Sequence, residues 1–135
     1  FRYEIPDYVL VGDRELLLKP MVMNNLYTSV LSFLRIDTGL ETRQYGFRDA
    51  CSRLVELDET IALPRGYRLA GEPRSEQKAA PAADFEGSLQ QVGNKLVLKQ
   101  KLALKKRIYR AADWEGFRAA VNAYKSFADY LIVKL

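Results

Sequence analysis

The dipeptide Gly93-Asn94 lies between two runs, residues 83–92 and 95–110, in which apolar and polar residues alternate. Alternation with a period of two is typical of strands that have one buried and one exposed face. A two-residue Gly-Asn link between such runs predicts a tight β-hairpin turn, in which glycine supplies the positive φ angle. We therefore expect the rest of the chain to fold around this hairpin.

The turn also predicts the register of the hairpin, because it places Val92 opposite Lys95. The apolar pairs expected on the buried face are Phe85 with Leu102 and Leu89 with Leu98. On the outer face Glu86 should lie opposite Lys101. A slip of one residue would turn every apolar side chain to the wrong face, so the turn and the pattern support the same register.

Shorter alternating runs predict further strands. Residues 51–63 form a long strand that ends at Pro64, with Val55, Leu57 and Ile61 on its apolar face. The Arg65-Gly66 pair predicts a turn before a strand over 67–70, and residues 130–135 predict a final strand. The Gly12-Asp13 pair predicts a second hairpin between residues 8–11 and 14–19.

The remaining segments carry weaker patterns. Residues 1–5 alternate and predict a short strand that Pro6 interrupts. Residues 21–49 mix helical spacing with strand-forming residues, and we expect them to be irregular or extended, with a short strand over 43–47. Residues 71–82 contain turn formers and few large apolar groups, which predicts a surface connection.

The period changes after Arg110. Asp113 is a candidate N-cap, and one apolar stripe of helical spacing follows it, formed by Trp114, Phe117, Val121, Tyr124 and Ala128. Gly116 weakens a helix by about 1 kcal/mol relative to alanine, so the helix should depend on docking. The predicted fold is mainly β: one antiparallel β-sandwich domain over residues 1–135, with a C-terminal α-helix packed on it.

Composition excludes several kinds of chemistry. The chain has no histidine and one cysteine, so neither a Ser-His nor a Cys-His couple can form within it. The usual cysteine and histidine zinc sites are excluded for the same reason. We therefore predict no catalytic, metal-binding or cofactor-binding residues and no enzyme activity in this chain. Cys51 is predicted to be a buried structural thiol, and the acids Glu56, Asp58 and Glu59 a solvated face.

A mild basic excess, with a net charge of +4, leaves two binding hypotheses open. Lys99, Lys101 and Lys105 recur along the second hairpin strand and could bind nucleic acid or another anionic surface. Their alternation also fits a solvated sheet face, because lysines point outward when leucines point inward. Trp114 or the tyrosines could stack on a carbohydrate, although the place of Trp114 on an apolar helical stripe favours the core. We expect no nucleic-acid binding, and no run of about 18 apolar residues is present to span a membrane.

Three patches together resemble a known family: LDETIALPRGYRLAGEP (57–73), KLVLKQKLALKKRIY (95–109) and DWEGFRAAVNAYKSFADYLIVKL (113–135). Over residues 14–135 they resemble the C-terminal β-rich domain of unknown function of bacterial transglutaminase-like proteins, whose central domain is papain-like. The resemblance implies a non-catalytic accessory domain whose partners are the other domains of its own polypeptide. It also implies a location in the bacterial envelope, the periplasm or outside the cell. The Cys-His-Asp set of such proteins would lie outside this chain, which we expect to be a fragment of a longer protein.

Overall fold

The computed structural model describes residues 5–21, 36–127 and 129–135. These residues form ten strands, a 3-10 turn at Ala111–Asp113 and an α-helix, α1, at Trp114–Ser126. The strands are β1 (Leu10–Val11), β2 (Glu15–Leu18), β3 (Phe47–Arg48), β4 (Arg53–Ala62), β5 (Arg68–Leu69), β6 (Arg74–Ala79), β7 (Ala83–Val92), β8 (Lys95–Leu104), β9 (Ile108–Tyr109) and β10 (Leu131–Lys134). All the strand pairs are antiparallel, as predicted for a mainly β fold with a C-terminal helix.

The hairpin of β7 and β8 forms the centre of a four-stranded sheet, here called the long sheet, with the strand order β4-β8-β7-β6. Its register is the predicted one: Val92 lies opposite Lys95 and Glu86 opposite Lys101. The apolar pairs, Phe85 with Leu102 and Leu89 with Leu98, are fully buried. At the turn Gly93 has a φ of +62°. Because φ is positive at the first central residue and not at Asn94, the turn is of type II′, which suits a two-residue hairpin.

The helix α1 covers the buried face of the long sheet, where it packs on β6, β7 and β8. Trp114, Phe117, Val121 and Tyr124 all point into the core, as the apolar stripe predicts. A Cβ atom built on Gly116 would lie 2.5 Å from the Cβ of Ala80, which follows β6. Glycine at this position therefore permits a close approach of the helix to the sheet, at the expense of helix propensity.

A second four-stranded sheet, here called the short sheet, has the order β1-β2-β10-β5. Its buried residues, Leu18, Leu131 and Val133, belong to the same core cluster as those of the long sheet. Near the hairpin turn, Gln91 of β7 accepts a hydrogen bond from the backbone N–H of Leu69 at 2.7 Å. The short sheet and α1 thus form the second layer over the long sheet.

The second predicted hairpin forms, but its turn differs in position. β1 and β2 pair Val11 with Leu16, and the backbone N–H of Gly12 donates to the carbonyl of Glu15 at 2.8 Å. The central residues of the turn are therefore Asp13 and Arg14 rather than Gly12 and Asp13. The register across the turn is fixed by this closing hydrogen bond.

Three other expectations are corrected or limited. Residues 74–79, predicted to be part of a surface connection, form β6 at one edge of the long sheet, where they pair with β7. The short strand predicted at 43–47 lies at Phe47–Arg48 and pairs with β9. Residues 1–4 of the strand predicted at 1–5, and residues 22–35 of the region 21–49, lie outside those described; residues 36–46 have no helix or strand, as expected. Within the described ranges, no helix is long and apolar enough to cross a membrane.

Candidate functional surfaces

The three lysines singled out from the sequence all lie on the outer face of the long sheet. Each of them meets a carboxylate on a neighbouring strand. The pairs are Lys99 with Asp58 at 3.6 Å, Lys101 with Glu56 at 3.1 Å and Lys105 with Asp84 at 2.6 Å. Cross-strand pairs of opposite charge stabilise a sheet modestly. They also leave little unbalanced positive charge for an anionic ligand to bind.

Lys105 has the closest of these contacts. Its ammonium also donates to the carbonyl of Ala80 at 2.9 Å, which fixes the lysine over the loop between β6 and β7. The hydrogen bond from Lys105 lowers the pKa of Asp84, and the backbone N–H of Ala80 acts in the same direction. Lys105 therefore secures a loop and is not a free cation on the surface.

A shallow groove of about 420 Å³ crosses this outer face. It is lined by polar and charged side chains of both signs, among them Glu56, Asp58, Glu86, Lys99 and Lys101. Glu56 and Asp58 are solvated, as predicted, whereas Glu59 has the opposite orientation and accepts a hydrogen bond from the Met21 backbone N–H at 3.0 Å. Mixed charges that already pair with each other do not create the field that steers a charged ligand.

Trp114, the fourth candidate residue, is only 2% exposed. Its indole Nε1–H donates to the carbonyl of Leu40 at 3.1 Å, and the guanidinium of Arg43 lies 4.3 Å from the ring centroid. The ring is therefore covered by the segment that precedes β3. An aromatic residue that stacks on a sugar must expose one face of its ring, so Trp114 is not a carbohydrate platform in this structure.

The covering segment, residues 36–43, is here called the strap, and polar side chains of α1 hold it in place. Arg118 donates to the carbonyl of Thr38 at 3.0 Å, and Lys125 donates to the carbonyl of Ile36 at 2.6 Å. The hydroxyl of Thr38 donates to the side-chain oxygen of Asn122 at 2.6 Å. Because the segment lacks regular structure, these side chains supply partners that its carbonyl groups need. Sequence analysis did not identify this role for the polar face of the helix.

Aromatic rings fill the space beneath the strap. Phe47 stacks on Tyr109 with ring centroids 4.6 Å apart, and Phe117 meets both of these rings edge-on. Burial raises the pKa of the Tyr109 hydroxyl. That hydroxyl accepts a hydrogen bond from the backbone N–H of Lys106, so its position is consistent with a packing role.

An acidic group is buried at the start of the helix. The Asp113 carboxylate accepts a hydrogen bond from Lys106 Nζ at 2.8 Å and another from the Arg110 backbone N–H at 2.8 Å. These two donors, the lysine first, lower the pKa of Asp113. Asp113 immediately precedes α1, as predicted, but its side chain closes the preceding 3-10 turn and does not cap the helix itself.

The prediction for Cys51 is wrong, because its side chain is exposed. Cys51 precedes β4 and lies beyond the end of its ladder with β8, which begins at Arg53. No group of three metal-ligating residues occurs within the described ranges.

An apolar cleft of about 530 Å³ lies between β1, β2 and β4, with Leu18, Ile61 and Leu63 in its wall. Its acidic residue, Glu59, already accepts a backbone hydrogen bond.

These features define a class of protein: a two-layer antiparallel β domain with a C-terminal helix packed on its long sheet, whose candidate ligand-binding side chains are paired or buried. The family described as a domain of unknown function with solved structure, DUF3858, matches residues 14–133, and the chain belongs to this family. No curated protein matches the chain.

The fold also occurs within a larger solved structure. A protein from Parabacteroides distasonis ATCC 8503, solved at 2.00 Å and described as a candidate protease, matches with a TM-score of 0.72 and 13% sequence identity. The match covers 93% of this chain and 24% of that chain. The chain thus spans about a quarter of the length of the protein that it resembles.

Proposed function

We propose that this chain is a non-catalytic accessory domain of a longer bacterial protein and that its partner is the rest of the same polypeptide. The observation that carries the proposal is the match to one quarter of a candidate protease, over nearly the whole of this fold. The resemblance to transglutaminase-like proteins points the same way, since their catalytic set belongs to a separate papain-like domain. It also supports an envelope, periplasmic or secreted location.

The surface chemistry favours this role over the two alternatives. An anion-binding module needs cations that are available to a ligand, whereas Lys99, Lys101 and Lys105 each meet a carboxylate. A carbohydrate-binding module built on Trp114 would need that ring to be exposed, whereas Trp114 lies under the strap. The absence of histidine in the sequence also removes the usual general base of a cysteine or serine hydrolase.

Peptidase and transamidation assays test the proposal. The isolated chain is expected to show no turnover with either class of substrate. The natural polypeptide that contains it is expected to show the activity, and Cys51→Ala is expected to leave that activity unchanged. Turnover by the isolated chain that Cys51→Ala abolishes would contradict the proposal, because it would place the nucleophile in this domain.

A further inference from the structure

The outer face of the short sheet carries a row of apolar side chains that are exposed or half-buried. In the register of the sheet, Leu17 of β2 lies between Leu10 of β1 and Ile132 of β10. Ala70 extends the row, because its backbone N–H donates to the carbonyl of Ile132 at 2.8 Å. Leu10 is 67% exposed and Ile132 is 43% exposed, whereas Leu131 and Val133, on the other face of β10, are fully buried. The row therefore spans the sheet on the side that faces away from the core.

Charged residues border this row on both sides and pair with one another. On one side Glu15 of β2 and Lys134 of β10 form an ion pair at 2.8 Å. On the other side Lys19 pairs with Asp129 at 2.6 Å, and its ammonium lies 5.3 Å from the ring centroid of Tyr130, which is 55% exposed. An apolar centre with an aromatic residue and a polar rim is the usual anatomy of a protein–protein interface.

The long sheet offers no comparable face. Its inner face is covered by α1 and the short sheet, and its outer face carries the three lysine–carboxylate pairs described above. Leu54, at 60% exposure, is flanked there by the charged residue Glu56. The outer face of the long sheet is therefore suited to contact with water, whereas the outer face of the short sheet is suited to contact with an apolar partner surface.

We infer that the outer face of the short sheet, centred on Leu10, Leu17 and Ile132, is the surface on which a neighbouring domain of the same polypeptide docks. This inference rests on the proposed accessory function and specifies its partner surface. In the Parabacteroides distasonis structure about three quarters of the chain lies outside the matched fold. A longer protein of that kind therefore has further polypeptide that can pack against this face.

The first and last strands of the described fold, β1 and β10, lie in the short sheet, which carries this face. The backbone N–H of Leu135 donates to the carbonyl of Arg14 at 3.0 Å, so the last residue also lies at this sheet. A domain joined to either end is tethered beside the apolar row, and tethering raises its effective concentration there. Because the rim charges are already paired, the partner surface is expected to be apolar and not strongly charged.

Hydroxyl-radical footprinting tests the inference by comparing the natural polypeptide with the isolated chain. Oxidation of Leu10, Leu17, Tyr130 and Ile132 is expected to be several-fold lower in the natural polypeptide. Leu54 and Val92, which are exposed elsewhere, serve as internal controls and should be oxidised equally in both. Equal oxidation of Leu10 and Ile132 in the two samples would overturn the inference. So would protection of these residues in the isolated chain at high concentration, because a second copy would then be the occupant.

A matched pair of variants supplies a second readout. Ile132→Lys is expected to speed proteolytic release of this domain from the natural polypeptide several-fold, whereas Leu54→Lys should leave the rate unchanged. Both variants of the isolated chain should melt near the temperature of the natural chain, since both positions are exposed. Equal release rates for the two variants would overturn the inference. Protection of Leu54 and Ile108 in place of Leu10 and Ile132 would reject this face as the docking surface but would leave the accessory role intact. Turnover by the isolated chain would reject the accessory role, whichever residues are protected.

Discussion

The guanidinium of Arg43 lies 4.3 Å from the centroid of the Trp114 ring, on the side of the ring that faces the strap. The same guanidinium lies 4.7 Å from the ring of Phe47. A cation over an aromatic face is attracted by the ring quadrupole, and the attraction grows when both groups lose contact with water. Arg43 thus ties the strap and β3 to the first turn of α1, and Trp114 is the centre of this arrangement.

Trp114→Ala should therefore destabilise the fold by about 3–5 kcal/mol, the usual cost of removing a buried large aromatic side chain. Thermal unfolding measures this cost, and the melting temperature should fall by roughly 10 °C or more. Tyr45→Ala is the control, because Tyr45 is 80% exposed. As Trp114 is the one tryptophan in the chain, its emission should be blue-shifted and poorly quenched by acrylamide. Red-shifted, fully quenched emission would show that the ring is not buried.

Gly116→Ala should destabilise the domain, although alanine has the higher helix propensity. The new methyl group would lie 2.5 Å from the Cβ of Ala80, and overpacking of this kind costs about 1–3 kcal/mol. The double variant Gly116→Ala, Ala80→Gly should recover most of the lost stability, because removal of the Ala80 methyl group leaves room for the new methyl group at position 116. Chemical denaturation of the four proteins in the cycle measures the coupling. If Gly116→Ala alone instead raised the free energy of unfolding by about 1 kcal/mol, helix propensity would outweigh the steric contact.

Gly93 tests the hairpin turn separately from packing. Its φ is +62°, and a Cβ atom built there meets nothing within 4 Å, so any cost of substitution comes from the backbone. Gly93→Ala should destabilise the domain by about 1–2 kcal/mol. Asn94→Ala, at the second central position of the turn, where φ is not positive, should cost less. Equal losses for both variants in urea unfolding would contradict this explanation.

Asp113 should make stability depend on pH in the acid range. Its pKa in the folded chain is lowered from the ordinary value of 3.8 by the hydrogen bonds from Lys106 and Arg110. The stabilisation is therefore fully present above pH 3.8 and is lost as the pH falls below that value towards the lowered folded pKa. Asp113→Asn should be less stable than the natural chain at pH 7, and the difference should shrink below about pH 4. A difference that stays constant down to pH 2, in melts across the pH range, would refute the assignment.

The lysines of the long sheet should not confer nucleic-acid binding. Each of the three meets a carboxylate, so few counterions would be released from a bound phosphate backbone. Fluorescence anisotropy with labelled single-stranded and double-stranded DNA is expected to show no binding at physiological ionic strength. Substitution of Lys99, Lys101 and Lys105 by alanine should change nothing. Tight binding that weakens steeply with salt and disappears in the triple variant would contradict this expectation.

Local pattern was sufficient for the central hairpin and the helix. The alternation on either side of Gly93-Asn94 specified the strands, the register and the buried face, because a two-residue turn allows one register and a period of two allows one inward face. The apolar stripe from Trp114 to Tyr124 specified the buried side of α1 in the same way. β6 could not be recognised, because its residues Arg74–Ala79 are mostly exposed and its pairing with β7 involves the backbone.

The sequence by itself thus determined the elements whose geometry follows from neighbouring residues: the β7–β8 hairpin, the long strand β4, the final strand and the helix. The tertiary structure decided which distant segments meet. β10 lies between β2 and β5, and the indole of Trp114 finds its acceptor at Leu40. It also decided that Cys51 is exposed and that the apolar row of the short sheet remains uncovered. The period of the apolar residues indicates which face of a strand is directed inward. The packing of whole layers determines which residues each face of the strand contacts.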